Sequence, residues 1–333
     1  MNERINWIDW AKALAVCTVV FCHLPQSQEW FYYRYLQSVI IVVFFFLSGY
    51  LKKDRGSTNA NWKKYWNSLI IPYIIYNVIV YPYWLLKYYM QHNGMPDMFT
   101  ALKPIFGAIL FQHENSFCEP LNGPLWYLPA ILIMHVTIDL CRKTKYQHYI
   151  MITLCVASVI LYAYNKYYLF LPNLTPMGLF RRLPYYYIGY VMGQRCMFRE
   201  INATRDTIRS LFLIIISIFI FYWHLHEENF IIHILLFYPV NLCFMFGVLY
   251  ASKAIVFIKS TLIKHYSIGT LVVIGLHVPI ISVINLCMVN VFQIHGNLIY
   301  HWYTALPISF IICIILYPVI FWGIKSFPIL FGK

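Results

Sequence analysis

The stretch Arg4-Ile5-Asn6-Trp7-Ile8-Asp9-Trp10-Ala11-Lys12, running on to Val19-Val20-Phe21-Cys22-His23-Leu24, decides how the chain must be read. It is apolar enough to enter a bilayer, yet it carries Asp9, Lys12 and His23. Ionisable side chains in a membrane span are costly and are usually kept for a function. Lys12 and His23 are eleven residues apart, close to three helical turns. On a helix they share a face, about 16 Å apart along the axis. Asp9, three residues before Lys12, falls on the same face and within reach of an ion pair.

Composition sets the class. The chain has 333 residues, of which 61% are hydrophobic and only 11% charged, where a soluble domain carries about 25% charged residues. The protein is therefore read as integral to a membrane. A cleavable leader is excluded as a reading of the N-terminus. No small-residue cleavage site follows His23, and Pro25-Gln26-Ser27 leads into another apolar run. The formal net charge of +13 does not point to nucleic acid, because the basic residues lie in short clusters between apolar runs. Aromatic residues, 19% of the chain with 29 Tyr, suit the headgroup level of a bilayer. The nine cysteines show no metal-ligand spacing. Only Cys118 falls in an expected outer loop, so neither a disulfide framework nor a metal is expected.

Windows of about twenty apolar residues mark spans. They predict an all-α polytopic fold with about ten transmembrane helices, near 8–24, 37–51, 69–90, 124–140, 149–168, 179–193, 210–226, 230–252, 267–290 and 302–324. The second is short and Pro184 interrupts the sixth. Residues 1–333 are read as a single integral-membrane domain. With the N-terminus in the cytoplasm, the inner segments hold eighteen of the 25 Lys and Arg residues, including Lys52, Lys53, Lys63, Lys64, Lys259 and Lys264. The outer loops hold Glu29, Asp97, Glu114, Glu119, Glu227 and Glu228. That asymmetry predicts both termini cytoplasmic. The Lys52–Lys64 loop reads as an orientation determinant drawn to anionic lipid. In the outer segment 91–123, an apolar piece from Pro104 to Phe111 precedes His113–Pro120. Its inner part is expected to dip back toward the membrane and to receive polar cargo.

Three stretches together resemble the membrane-bound acyltransferase-3 family, in particular the branch of fucose 4-O-acetylases and related sugar O-acetyltransferases. The first is Trp7-Ile8-Asp9-Trp10-Ala11-Lys12 followed, after ten residues, by His23. The second is Phe44-Phe45-Phe46-Leu47-Ser48-Gly49-Tyr50, and the third Gly123-Pro124-Leu125-Trp126-Tyr127-Leu128. Weaker echoes are Tyr186–Gly193 and Ser267-Ile268-Gly269 through Leu276-His277-Val278-Pro279. Lys12 stands where Arg is common, giving a point charge instead of a bidentate fork. The resemblance implies transfer of an acyl group, usually acetyl from cytoplasmic acetyl-CoA, with no permanently bound cofactor. The acceptor it implies is a sugar hydroxyl of a cell-surface or lipid-linked glycan, reached from a bacterial-type inner membrane.

His23 is the foremost candidate. A neutral imidazole can take the proton from a sugar hydroxyl as it attacks a thioester, or carry the acyl group transiently. Lys12 can meet acyl-CoA phosphates, pair with Asp9, or snorkel to the headgroups. Ser48 is read either as a donor to the thioester carbonyl or as a small-residue helix contact. Trp126 and Tyr127 can pack against acceptor or acyl chain, or anchor at the interface. Arg181 and Arg182 run against the inner placement of positive charge, with three readings open: oxyanion stabilisation, an anionic acceptor lipid, or snorkelling. His277 is a second candidate, against the plainer reading of a satisfied core histidine, and His135 reads as structural. His224, His226 and His233 match no tight zinc template. The leading expectation is thus a membrane O-acyltransferase whose partners are acyl-CoA, a glycan acceptor and lipid. A transporter using Asp9, Lys12 and His23 as a proton relay is the rival; no internal repeat symmetry speaks for it. A non-catalytic partner in polysaccharide assembly is a third reading.

Overall fold

A bilayer core offers the backbone no water, so a chain of this composition satisfies its N–H and C=O groups within helices. The computed structural model describes residues 6–53, 58–111, 121–168, 175–198, 200–290, 293 and 298–332, and no strand occurs among them. Cys118 and the His113–Pro120 run lie outside the described residues. The described cysteines are free thiols.

The helices, in chain order, are α1 (Asn6–His23), α2 (Phe31–Val39), α3 (Ile41–Tyr50), α4 (Thr58–Tyr65), α5 (Ile71–His92), α6 (Met98–Ile109) and α7 (Tyr127–Cys141). They continue as α8 (Gln147–Tyr168), α9 (Thr175–Gln194), α10 (Ala203–His226), α11 (Phe230–Ala254), α12 (Thr261–Ile268), α13 (Thr270–Asn290) and α14 (Trp302–Ser326). A π-helical segment, Trp66–Ile70, joins α4 to α5, and a 3₁₀ turn, Gly123–Trp126, leads into α7.

Eight helical stretches are long and apolar enough to cross a bilayer: Phe31–Tyr50, Ala60–His92, Gly123–Cys141, Gln147–Asn165, Ala203–His226, Phe230–Ala254, Thr270–Val289 and Trp302–Ser326. The second span of the sequence reading is therefore not short. It begins at Phe31, because the polar-looking run Tyr32 to Gln37 is helical too. Two of the ten expected spans, α1 and α9, fall outside the set. Asp9 and Lys12 lower the hydropathy of one, Arg181, Arg182 and a run of tyrosines that of the other.

Both of these helices run inside the bundle. Helix α1 packs on α2, α3, α11, α12, α13 and α14. Ala11, Ala15, Val16 and Val20 are fully buried along it, the small side chains letting neighbours approach. Helix α9 lies directly against α3. A Cβ added at Gly49 or Gly189 would overlap a carbonyl oxygen of the facing helix, Tyr186 in one direction and Phe46 in the other. Only glycine allows that separation. The periphery has the opposite pattern. Ile208, Leu211, Phe212, Ile215 and Phe219 stand exposed on α10, an apolar stripe at helical spacing that suits lipid.

Lys52 departs from the reading of the Lys52–Lys64 loop as an orientation determinant drawn to anionic lipid, whereas Lys53 and Lys63 are exposed. Lys52 is buried, with Nζ 2.7 Å from Asp139 Oδ1 on α7. Lys52 also donates to the Tyr65 hydroxyl, which donates in turn to Asp139 Oδ2 at 2.5 Å. Asn61 Nδ2 donates to the same oxygen at 3.2 Å. A buried cation needs such a partner, and α4 and α7 supply it together just past the end of α3. A second buried pair, Lys253 Nζ to Asp206 Oδ2 at 3.5 Å, fastens α11 to α10. Helix α6 is twelve residues long, capped by Asp97 and tied to α5 where Tyr73 and Tyr81 donate to the carbonyls of Ala108 and Ala101.

Candidate active site

His23 ends α1 and is exposed, whereas Phe21, Cys22 and Leu24 around it are buried. Its Nδ1 lies 2.8 Å from the Val19 carbonyl oxygen, one turn back. A carbonyl only accepts, so Nδ1 carries the proton and Nε2 is left with a lone pair. His277 of α13 is in the same state: Nδ1 donates to the Val273 carbonyl at 2.7 Å, and the buried Nε2 has no partner. The two rings meet edge to face, centroids 4.6 Å apart and planes at 82°. The reading of His277 as a satisfied core histidine is thus corrected. It is fully buried and half-satisfied, next to the foremost catalytic candidate.

The same C-terminal segment holds the other end of α1. Ser267 Oγ on α12 donates to Asp9 Oδ1 at 2.5 Å, both residues buried. Asp9 is therefore tied to α12 as well as standing beside Lys12 on its own helix. Lys12 is half-buried, three turns from His23 along an uninterrupted α1. Asp9 lines a pocket of about 260 Å³ together with Asn6, Trp10, Lys259, Ser260 and Lys264 among others. Trp10 Nε1 donates to the Ile258 carbonyl at 3.1 Å and braces the wall. Ser260 caps α12 there, accepting from Ile263 N at 3.4 Å. Two lysines around a helix N-terminus make a site suited to anions. In the sequence alone Lys259 and Lys264 mark only the topology. Their spacing about a Ser cap is the feature that marks them.

The Gly123–Leu128 motif packs against α13 and leads into α7. Asn122, just ahead of it, donates from Nδ2 to the Gly275 carbonyl at 2.8 Å, two residues from His277. Tyr127 meets Ser48 at 2.6 Å between hydroxyls and donates to the Phe44 carbonyl at 3.2 Å. Those two candidates are brought together as a lock between α7 and α3. Trp126 faces α9. A Cβ at Gly178 would stand 2.6 Å from its ring, and the Arg182 guanidinium is 4.8 Å from the ring centroid. Arg181 lies 3.6 Å over Phe237 and 5.3 Å from Tyr162. Both arginines are half-buried, their Nε atoms fully so and their guanidinium groups against aromatic rings.

The remaining histidines play other parts. His135 Nδ1 lies 2.6 Å from the Tyr186 hydroxyl inside the α7–α9 contact. The rings of His224 and His233 stack at 3.9 Å. Among the described residues no three His, Cys, Asp or Glu side chains come together as a metal site.

The two helices that fall outside the apolar set carry Asp9, Lys12, His23, Arg181 and Arg182, and Ser48, Tyr127 and His277 come from apolar spans. The sequence profile of the acyltransferase domain of the acyltransferase-3 family matches residues 5–321, nearly the whole chain. No curated protein and no solved structure gives a significant match. With a helical bundle, eight membrane-length apolar helices and a family match of that extent, the chain belongs to the acyltransferase-3 family and is a multi-pass membrane acyltransferase.

Proposed function

We propose that the protein moves an acyl group, acetyl in the first instance, from cytoplasmic acyl-CoA to a sugar hydroxyl of a cell-surface or lipid-linked glycan. In this reading both termini face the cytoplasm of a bacterial-type cell membrane, as the placement of basic residues favours. The observation that carries the mechanism is the tautomer of His23, whose Nδ1–H is held by the Val19 carbonyl, leaving Nε2 of the neutral ring with a lone pair.

The acyl donor enters at the end where α1 begins. Lys259, Lys264 and the N-terminal end of α12 receive its phosphates, and Lys12 lies on the way toward His23. The pantetheine arm is long enough to follow α1 over about 16 Å, three turns of helix. At the other end, His23 Nε2 accepts the proton of the acceptor hydroxyl while the oxygen attacks the thioester carbon. The tetrahedral intermediate collapses with cleavage of the C–S bond, and the departing sulfur takes the proton back from Nε2. An ester and free coenzyme A result. His277 Nε2, buried and unsatisfied, accepts from the incoming hydroxyl or from the protonated His23, so proton transfer relieves an unpaired group.

Membranes bearing the wild-type chain or His23→Ala, supplied with radiolabelled acetyl-CoA, provide the test. Acceptor-dependent release of coenzyme A by the wild type and its loss in the variant are expected. Equal release from both would end the assignment of His23 as base.

A further inference from the structure

We propose that Arg181 and Arg182 form a binding site for a diphosphate group through which a lipid-linked acceptor is held. This rests on the reading of the chain as a transferase to a glycan acceptor and names the anionic part of that acceptor.

The two arginines are adjacent on α9 and enclosed by rings: Phe237 and Tyr162 about Arg181, Trp126 and Phe45 about Arg182. The one hydrogen bond between either guanidinium and the described residues runs from Arg182 Nη1 to the Gly178 carbonyl, at 3.1 Å. The Nε atoms of both and the nearby Tyr238 hydroxyl are buried without partners. No ion pair joins either arginine to an acid among the described residues; Asp139 pairs with Lys52, Asp206 with Lys253 and Glu200 with Arg205. Two positive charges thus stand side by side, inside a membrane protein, with no counter-ion among the described residues.

Such a pair is expensive unless something neutralises it. Rings offset part of the cost by cation–π attraction, but they add no acceptor oxygens for the guanidinium N–H groups. A carboxylate would neutralise only one charge. A diphosphate bridging a lipid and a sugar carries two, and its oxygens suit the guanidinium fork. The cluster also lies toward the acceptor end. Phe198, just past the end of α9, packs at 5.6 Å on Trp7 near the start of α1. Arg181 and Arg182, in the first half of α9, therefore lie on the side of the bundle where α1 ends in His23. The lysine pocket beside Asp9 occupies the opposite end.

The test uses the full-length protein in detergent with three probes: labelled geranylgeranyl diphosphate, the neutral alcohol geranylgeraniol, and coenzyme A. The wild type should bind the diphosphate at least tenfold more tightly than the alcohol, and inorganic pyrophosphate should compete. The Arg181→Gln/Arg182→Gln double variant should lose that preference while its affinity for coenzyme A changes less than twofold. Equal binding of diphosphate and alcohol by the wild type, which needs no variant to fold, would overturn the proposal. So would a double variant that keeps its diphosphate preference or loses coenzyme A affinity instead. Acyl transfer measured alongside separates failure of this site from failure of the enzymatic reading.

Discussion

His23 and His277 stand edge to face, ring centroids 4.6 Å apart, each with Nδ1 bonded to the carbonyl one turn before it. Two residues 254 positions apart in the sequence thus present the same tautomer side by side. One is exposed and the other fully buried, which suggests unequal roles: His23 handles the proton, and His277 steadies it.

That division predicts the behaviour of His277→Ala. Loss of a group that assists proton transfer costs roughly 10²–10⁴-fold in rate, and the loss should fall on kcat more than on KM for acyl-CoA. His277→Gln, which retains a hydrogen-bonding end, should recover part of it. Steady-state acyl transfer measures both, and a fully active His277→Ala enzyme would remove His277 from the mechanism.

Asp139 is predicted to hold its corner of the bundle by neutralising Lys52. Asp139→Ala leaves a buried ammonium ion without its carboxylate and should lower stability by roughly 3–5 kcal/mol. Replacing both partners, Lys52→Met with Asp139→Leu, should restore most of that. Thermal unfolding in detergent compares the three proteins. A double variant as unstable as the single one would show that the charge pair is not the cause.

Gly189→Ala places a methyl group against the Phe46 carbonyl across the α3–α9 contact. Overpacking of this kind costs about 1–3 kcal/mol, more where backbone rather than a side chain must yield. A markedly lower yield of folded protein is expected, while Gly94→Ala, at an open loop position, serves as the tolerated control. Wild-type yield and melting temperature for Gly189→Ala would contradict the packing described.

Asp97 caps α6, and the backbone N–H of Thr100 at 2.7 Å holds its carboxyl below the usual range, the Thr100 hydroxyl adding to the effect. A depressed folded value means that the cap is at full strength above the ordinary carboxylate pKa, about 3.9, and fades as pH falls through the lower folded value. Amide exchange over 100–103, corrected for intrinsic rates, should be flat from pH 7 to 5 and lose protection only in the acid range. Asp97→Asn should abolish that acid step. A loss of protection between pH 7 and 5 would point to another group.

The helical spans were legible because length and apolarity are local properties of the chain. Even the family motifs could be found one at a time. What sequence did not show is where polar residues find partners, since that depends on contacts across hundreds of positions. Lys52 looked like a loop lysine because Asp139 is 87 positions away. His277 looked self-sufficient because nothing near it in sequence hints at His23. Ser267 reached Asp9 by the same long-range packing. The charge of α1 and α9 was visible, but its consequence was not: those helices run inside the bundle, where neighbours supply what lipid cannot.

The role of His23 is tested most directly by the surface glycans of cells that express the wild-type chain or His23→Ala at equal membrane levels. Mass spectrometry of those glycans should find an acetyl increment with the wild type and none with the variant. Identical acetylation in both would contradict the account.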